Sequence, residues 1–182
     1  RILFFFILLN FYNPAFSSIK DKIIYRLNSI DNFSFNFIQT VNQKEESGSC
    51  IIKYPKKIYC EYNKPNKKII VSNGKSLVIT NKQNESFYFY PLKKTPLELL
   101  LDKVFLISKI RNLKPREIDN KYINFKILEN NNLIDIFFDK KTFDLVGWQL
   151  EDIYQNLSIT FISSLKVNQK IDKRIFKLPK IN

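Results

Sequence analysis

Two cysteines, Cys50 and Cys60, carry the most reactive side chains of this sequence, and no histidine accompanies them. Without an imidazole there is no general base for a serine or cysteine triad, and two thiolates alone do not complete a zinc site. The three glycines, Gly48, Gly74 and Gly147, are too far apart for a phosphate-binding loop or a dinucleotide fingerprint. Carboxylates, tyrosines and lysines remain, and their spacing follows no catalytic pattern. We therefore expect neither an enzyme nor a bound cofactor.

The cysteines lie on two expected strands that are joined by the turn Pro55–Lys57. A turn centred on Lys56 would place Cys50 opposite Tyr62, and the other cysteine one pair further along on the same face. Disulfides are common in exported proteins, but this diagonal offset strains the required geometry. The pattern leaves the disulfide open, and it predicts a structural role for the cysteines in either case.

A hairpin and a short helix are the elements that the sequence predicts most clearly. Ile69–Ser72 and Lys75–Thr80 are β-branched runs that flank Asn73-Gly74, a pair that tolerates the positive φ of a tight turn. A further strand follows at Glu85–Tyr90. Beyond it, Thr95-Pro96-Leu97-Glu98 has the order of an N-cap, a first-turn proline and a capping-box glutamate. The leucines of this helix make it apolar on most sides, so it must lie against an apolar surface.

The rest of the chain predicts one antiparallel sheet of many strands with two short helices. An amphipathic helix covers Ile19–Ile30, and clean alternation over Phe33–Val41 predicts a strand. Lys103–Arg116 fits either a longer helix or a short buried strand. Four closing strands are expected at 122–128, 133–138, 143–150 and 157–165.

The N-terminus has the pattern of a secretory signal peptide. Arg1 precedes the apolar run Ile2–Leu9, which is too short for a bilayer span, and Ala15-Phe16-Ser17 offers small residues for cleavage before Ser18. A membrane anchor or a buried strand is the alternative. We expect a signal peptide at 1–17 and a single domain at 18–182.

The net charge of +13 is compatible with nucleic acid or an anionic membrane as a partner. The basic residues are spread along the whole chain, however, and form no long block. Export argues against nucleic acid, so we interpret the charge mainly as compositional bias on solvated strand faces.

Apolar residues exceed what one face of one sheet requires. The Phe87–Tyr90 segment is aromatic on both faces, and two short helices cannot cover nine or more strands. Such a sheet closes as a barrel or sandwich packed with its own side chains, or it leaves a lined cavity.

Several motifs, in order, resemble the periplasmic outer-membrane lipoprotein carrier family, LolA. Phe37–Val41 is similar to the family's "F-x-Q-x-V" start, and Pro55–Pro65 to its "R-P-x-x-[FI]…[FW]-E-Y…P" stretch. Ile70–Leu77 resembles its "[IL]-V-S-D-G-K-x-L" hairpin, and Lys94–Leu100 its "T-P-x-x-L-[IL]" helix. Weaker matches occur at Leu150–Phe161 and Phe176–Pro179. Together they cover nearly all of 18–182.

The resemblance implies an open, unclosed antiparallel β-barrel (mainly β, α+β) whose hydrophobic concave face is covered by short lid helices. It implies a monomeric periplasmic chaperone that takes acylated lipoproteins from an inner-membrane ABC transporter to an outer-membrane receptor. Motif and strand parity together give a lipid-binding cavity of Phe35, Phe37, Ile52, Ile58, Cys60 and Tyr62, and a lid of Tyr54, Leu97, Leu100 and Leu101.

Two positions depart from the family pattern. Tyr54 stands where the family commonly has a latch arginine, so we expect at most a weaker, neutral latch. Cys60 replaces an aromatic residue. The alternatives are a receptor of the LolB type, which requires a cysteine directly after the signal, and a periplasmic lipoprotein-sensing module on the same fold.

Overall fold

An antiparallel sheet of eleven strands dominates the computed structural model, which describes residues 17–65, 67–81, 85–151 and 155–179. The strands occur in the order β6-β5-β4-β3-β2-β1-β11-β10-β9-β8-β7. Because β6 and β7 stand at opposite edges and do not pair, the sheet is not closed, which confirms the predicted fold class. The strands are β1 Asn32–Val41, β2 Lys44–Lys53, β3 Lys57–Tyr62, β4 Lys68–Asn73, β5 Ser76–Asn81, β6 Ser86–Pro91, β7 Arg116–Ile118, β8 Tyr122–Glu129, β9 Asn132–Asp139, β10 Leu145–Glu151 and β11 Leu157–Val167. The expected signal peptide lies, up to residue 16, outside the described residues.

The described residues form three short α-helices and two 3-10 turns beside the sheet, one helix more than we predicted. They are α1 Ile19–Asn28, α2 Leu97–Leu101 and α3 Lys103–Asn112, with 3-10 turns at Leu92–Lys94 and Lys173–Phe176. The segment that fitted either a helix or a strand is thus a helix, because the Asp102 carboxylate accepts a hydrogen bond from the Phe105 N–H and caps it. Within the described residues, no helix has the length and apolarity to cross a membrane.

Residue alternation places the hydrophobic core on one face of the sheet, which we call the inner face. On β1, Phe33, Phe35 and Phe37 are buried there. Helix α1 contributes Ile23 and Leu27 to the same continuous core. The helices α1 and α3 pack on each other and join the inner side chains of β8, β9 and β10 in that core. They therefore cover one half of the inner face.

The turn between β2 and β3 is centred one residue earlier than predicted, which shifts each strand pairing by two residues. Lys53 pairs with Lys57, so the turn is centred on Pro55 and not on Lys56. Cys50 therefore lies directly opposite Cys60, with 4.1 Å between the Cα atoms, and the two form a disulfide. The diagonal offset that we predicted for the cysteines is wrong, because it assumed that the turn has its centre one residue later.

The Asn-Gly hairpin forms where the sequence predicts it. Gly74 has a φ of 98°, which suits a residue without a Cβ. The Asn73 side chain accepts hydrogen bonds from the N–H groups of Lys75 and Ser76 and fixes the turn.

The predicted cap of the short helix is wrong. Pro96 occupies the N-cap position of α2, and no side chain caps the helix there. The Thr95 hydroxyl instead donates to the Leu92 carbonyl oxygen at 2.8 Å, while Glu98 forms an ion pair with Lys56. The preceding 3-10 turn and the ion pair satisfy these groups in place of a capping box.

Candidate functional site

An open cavity of about 510 Å³ lies on the half of the inner face that α1 and α3 leave uncovered. Its walls come from the inner side chains of β1 to β6, β10 and β11, and the 95–97 segment at the start of α2 forms one side. Most of the lining is apolar, including Leu77, Ile79, Tyr90 and Trp148. A volume of this size falls within the range of ordinary ligand pockets.

Five of the six residues that we predicted for the cavity line it: Phe35, Phe37, Ile58, Cys60 and Tyr62. The sixth, Ile52, is on the same face but is only 1% exposed. It pairs with Phe33 and Ile58 and forms part of the packed core beside the cavity. Parity therefore identified the correct face, whereas the packing on that face decides which residues contact empty space. The binding of lipid by these residues remains a prediction.

Aromatic contacts keep the cavity wall in place. The ring of Phe35 meets that of Trp148 edge to face at 5.9 Å, and the ring of Phe37 meets that of Tyr62 at 4.8 Å. The disulfide joins the two strands between these contacts and lies in the wall itself. The wall is thus stiff, since ring packing and a covalent crosslink restrain the same strands.

Three predicted lid residues lie on α2, at the edge of the cavity. Leu97 lines the cavity and is half-buried, whereas Leu100 and Leu101 are buried in the core. Leu97 is therefore the lid residue that a bound molecule would meet first. The other two leucines anchor the helix.

Tyr54, the predicted neutral latch, packs against neighbouring side chains. Its ring lies 5.9 Å from that of Phe33, and the Lys103 ammonium lies 5.4 Å from its ring centroid. Burial raises the pKa of the Tyr54 phenol well above its ordinary value, so the group stays neutral. Within the part of the chain that the structure describes, its hydroxyl makes no hydrogen bond to α2.

A charged contact that we did not predict joins α2 to Lys56. The Lys56 ammonium lies 2.6 Å from Glu98 Oε1 and 3.1 Å from Asp102 Oδ2, so it holds both ends of the helix. The backbone N–H of Lys56 also donates to the Leu101 carbonyl oxygen at 2.9 Å. Hydrogen bonds to Glu98 and then Asp102 raise the pKa of the Lys56 ammonium. We call this set of contacts the Lys56 clasp.

One end of the cavity, beside the β1–β2 turn, is polar. The Tyr62 hydroxyl donates to Gln39 Oε1 at 2.9 Å, and Gln39 Nε2 donates to Thr160 Oγ1 at 3.0 Å. Lys68 forms an ion pair with Glu46 at 2.5 Å and lies 3.9 Å from the centre of the Tyr62 ring. The cavity thus suits an amphiphile, with apolar walls at one end and hydrogen-bonding groups at the other.

Sequence reasoning missed this polar end and the Lys56 clasp. Gln39 continues the inner-face parity of Phe35 and Phe37, so alternation alone could have placed it in the cavity. No comparable signal exists for Lys56 and Glu98, which lie 42 residues apart in the chain. No group of three or more acidic or cysteine residues in the described ranges is arranged to hold a metal ion.

A comparison with protein families matches residues 28–179 to the family described as "Outer membrane lipoprotein carrier protein LolA". The match covers every strand and the lid helix α2. No curated protein matches the sequence significantly.

Several solved structures are similar to this chain at low sequence identity. An uncharacterized conserved protein from Thermus thermophilus is 9% identical, with a TM-score of 0.54 over 89% of this chain and 93% of that chain. A LolA superfamily protein from Nitrosomonas europaea is 10% identical, with a TM-score of 0.47 over 87% of this chain and 97% of its own. A putative outer membrane lipoprotein-sorting protein domain from Vibrio parahaemolyticus is 7% identical, with a TM-score of 0.48 over 85% and 94%. The first of these similarities establishes a shared fold.

Proposed function

The chain belongs to the LolA family of outer membrane lipoprotein carrier proteins, and we propose that it carries acylated lipoproteins across the periplasm. In this proposal it receives them from an inner-membrane ABC transporter and delivers them to an outer-membrane receptor, without a catalysed step. The observation that carries the proposal is the apolar cavity of about 510 Å³, which opens on the inner face of an unclosed sheet.

The character of the cavity wall fits acyl chains. Phe37, Ile58, Leu77 and Leu97 present hydrocarbon or ring surface to the cavity. Each CH₂ group that moves from water into such surroundings contributes about 0.8 kcal/mol. A long chain buried over its full length would therefore dissociate very slowly. A cavity that covers only part of the acyl chains keeps the complex reversible, as a carrier requires.

The lid supports the same function. Leu97 occupies the side of the cavity, so a bound acyl chain would displace the start of α2. The Lys56 clasp opposes that movement with two partly exposed ion pairs, each of which contributes about 0.2–1 kcal/mol. Two such pairs total about 0.4–2 kcal/mol, which the burial of three CH₂ groups at about 0.8 kcal/mol each is enough to offset. We infer that cargo opens the lid and that the clasp closes it again after release.

The test compares two adjacent positions of β5 that point to opposite faces of the sheet. Ile79 lines the cavity, whereas Thr80 is on the other face, and both are half-buried. Ile79→Glu would place a carboxylate against acyl chains and should weaken binding of an acylated lipoprotein more than tenfold, because the charge loses its hydration. Thr80→Glu should change binding less than twofold. Release of a lipoprotein from vesicles that contain the transporter measures both variants, and circular dichroism checks that each one folds.

Equal activity of the two variants would contradict the assignment of the cavity as the binding site. Binding that persists with the unacylated form of the same lipoprotein would contradict the carrier function, since acyl chains would then contribute nothing.

A further inference from the structure

Two hydroxyl groups lie in the cavity wall at successive inner positions of β11. Ser158 and Thr160 are 4% and 2% exposed, and both line the cavity. They lie opposite Val41 and Gln39 of β1 in the sheet register. We call them the hydroxyl pair. Buried polar groups are nearly always hydrogen-bonded, so the partners of these two groups are informative.

Neither hydroxyl donates a hydrogen bond within the described residues. Gln39 Nε2 donates to Thr160 Oγ1 at 3.0 Å, which uses that oxygen as an acceptor and leaves its O–H available. The Ser158 hydroxyl makes no side-chain hydrogen bond to any described residue. Gln39 is itself held by the Tyr62 hydroxyl, which donates to Gln39 Oε1 at 2.9 Å. The wall therefore presents two O–H donors to a molecule bound in the cavity.

The position of the pair defines the chemistry of that molecule. Towards the disulfide the wall is apolar, with Phe35, Phe37 and Cys60, and at the open end it carries the ion pair of Glu46 and Lys68. A ligand that fills the cavity would place hydrocarbon at the first end and its polar body at the second. At the hydroxyl pair it needs a hydrogen-bond acceptor. A carbonyl oxygen fits this position, because two neutral O–H donors satisfy an uncharged acceptor, and Lys68, one of the lysines in the lining, is already paired with Glu46.

We propose that the hydroxyl pair binds the ester carbonyl oxygens of the acyl chains, an inference that rests on the carrier function proposed above. The carbonyl marks the point where hydrocarbon ends and the glyceryl cysteine begins. Hydrogen bonds from Ser158 and Thr160 fix the depth to which each chain enters. They also make the site selective for ester-linked chains over ether-linked chains, since a site built to hydrogen-bond one group disfavours the analogue that lacks it.

The experiment uses two synthetic lipopeptides that differ only in one linkage. One has an N-terminal glyceryl cysteine with two palmitoyl esters, and the other has two hexadecyl ethers in their place. Displacement of a fluorescent fatty acid from the cavity gives the Kd of each. The protein should bind the ester roughly five- to 150-fold more tightly than the ether, as expected for two neutral hydrogen bonds.

Ser158→Ala and the double variant Ser158→Ala/Thr160→Val should reduce that preference stepwise and leave the affinity for the ether nearly unchanged. Because the Ser158 side chain bonds to no described residue, its removal should disturb the fold least. Ser163→Ala is the matched control: this exposed serine is on the opposite face of β11, and the variant should keep the full preference.

The outcomes separate the two proposals. Tight binding of both lipopeptides with equal Kd values would overturn the carbonyl contact and leave the carrier function intact. A preference for the ester that survives in the double variant would also overturn it. Failure of both lipopeptides to bind would refute the carrier function, and the role of the hydroxyl pair with it.

Discussion

Removal of the charged group of the Lys56 clasp should loosen the lid helix and leave the sheet intact. In Lys56→Met the aliphatic stem remains, and the ion pairs with Glu98 and Asp102 are lost. The residue has a φ of 63°, a conformation that burdens lysine and methionine alike, so the backbone contribution cancels. The substitution therefore reports on the charge.

The expected size follows from the exposure of the partners. The side chains of Lys56, Glu98 and Asp102 are 31%, 20% and 26% exposed. Solvent screens such pairs, and each is worth about 0.2–1 kcal/mol, so the two ion pairs together contribute roughly 0.4–2 kcal/mol. Opening of α2 should become about two- to thirtyfold more frequent, since 1.4 kcal/mol corresponds to a factor of ten.

Hydrogen exchange of the Leu97–Leu101 amides measures this opening, because exchange follows the local opening equilibrium. Amides of β8 and β9 should not change. Lys57→Met is the matched control: Lys57 is the next residue of the same hairpin and forms no ion pair within the described residues. Salt at 1 M should narrow the difference between the parent protein and Lys56→Met, since the ion pairs are screened. Identical exchange of the α2 amides in the parent and in Lys56→Met would refute the clasp. If Lys57→Met increased that exchange as much as Lys56→Met does, the effect would not be specific to the charge of Lys56.

Further predictions concern the wall and the clasp. Replacing both Cys50 and Cys60 with alanine removes a disulfide between residues that are ten positions apart. The free energy of unfolding measured in urea titrations should fall by about 2–3 kcal/mol. At temperatures where this variant is still folded, it should bind lipopeptide as the parent protein does. Loss of lipopeptide binding in the folded variant would show that the crosslink shapes the cavity. Gly48→Ala should cost about 1–3 kcal/mol or more by the same assay, because a Cβ there would collide with the Glu61 carbonyl oxygen, and unchanged stability would contradict this packing. The pKa of Lys56 is raised above its ordinary value of 10.5, so the stability that it contributes is complete below pH 10.5 and is lost as the pH rises through the raised pKa. A titration of its side-chain NMR signals with a midpoint below 10.5 would contradict that sign.

Local patterns determined the fold class and the correct face of the sheet. Alternation over Phe33–Val41 predicts a strand with its aromatic residues inside, and the Asn-Gly pair predicts the hairpin of β4 and β5. Both predictions depend on the side-chain directions and backbone freedom of a few consecutive residues, and the local sequence is enough to infer these. The order of the family motifs added the open sheet and the lid; the family match and the eleven-stranded sheet confirmed the open sheet, and the lid stays a prediction.

Tertiary structure decided the details on which function depends. A shift of the turn centre from Lys56 to Pro55 brought the cysteines face to face, and the strand patterns do not distinguish these two registers. The clasp joins Lys56 to Glu98 across 42 residues, and Gln39 meets Thr160 across 121. Such contacts arise because separate elements converge on one cavity, and their energies depend on distances of a few ångströms that no local pattern encodes. The sequence therefore predicts a hydrophobic concave face. Only the packed structure shows which ion pairs hold α2 beside it and where its hydroxyl groups lie.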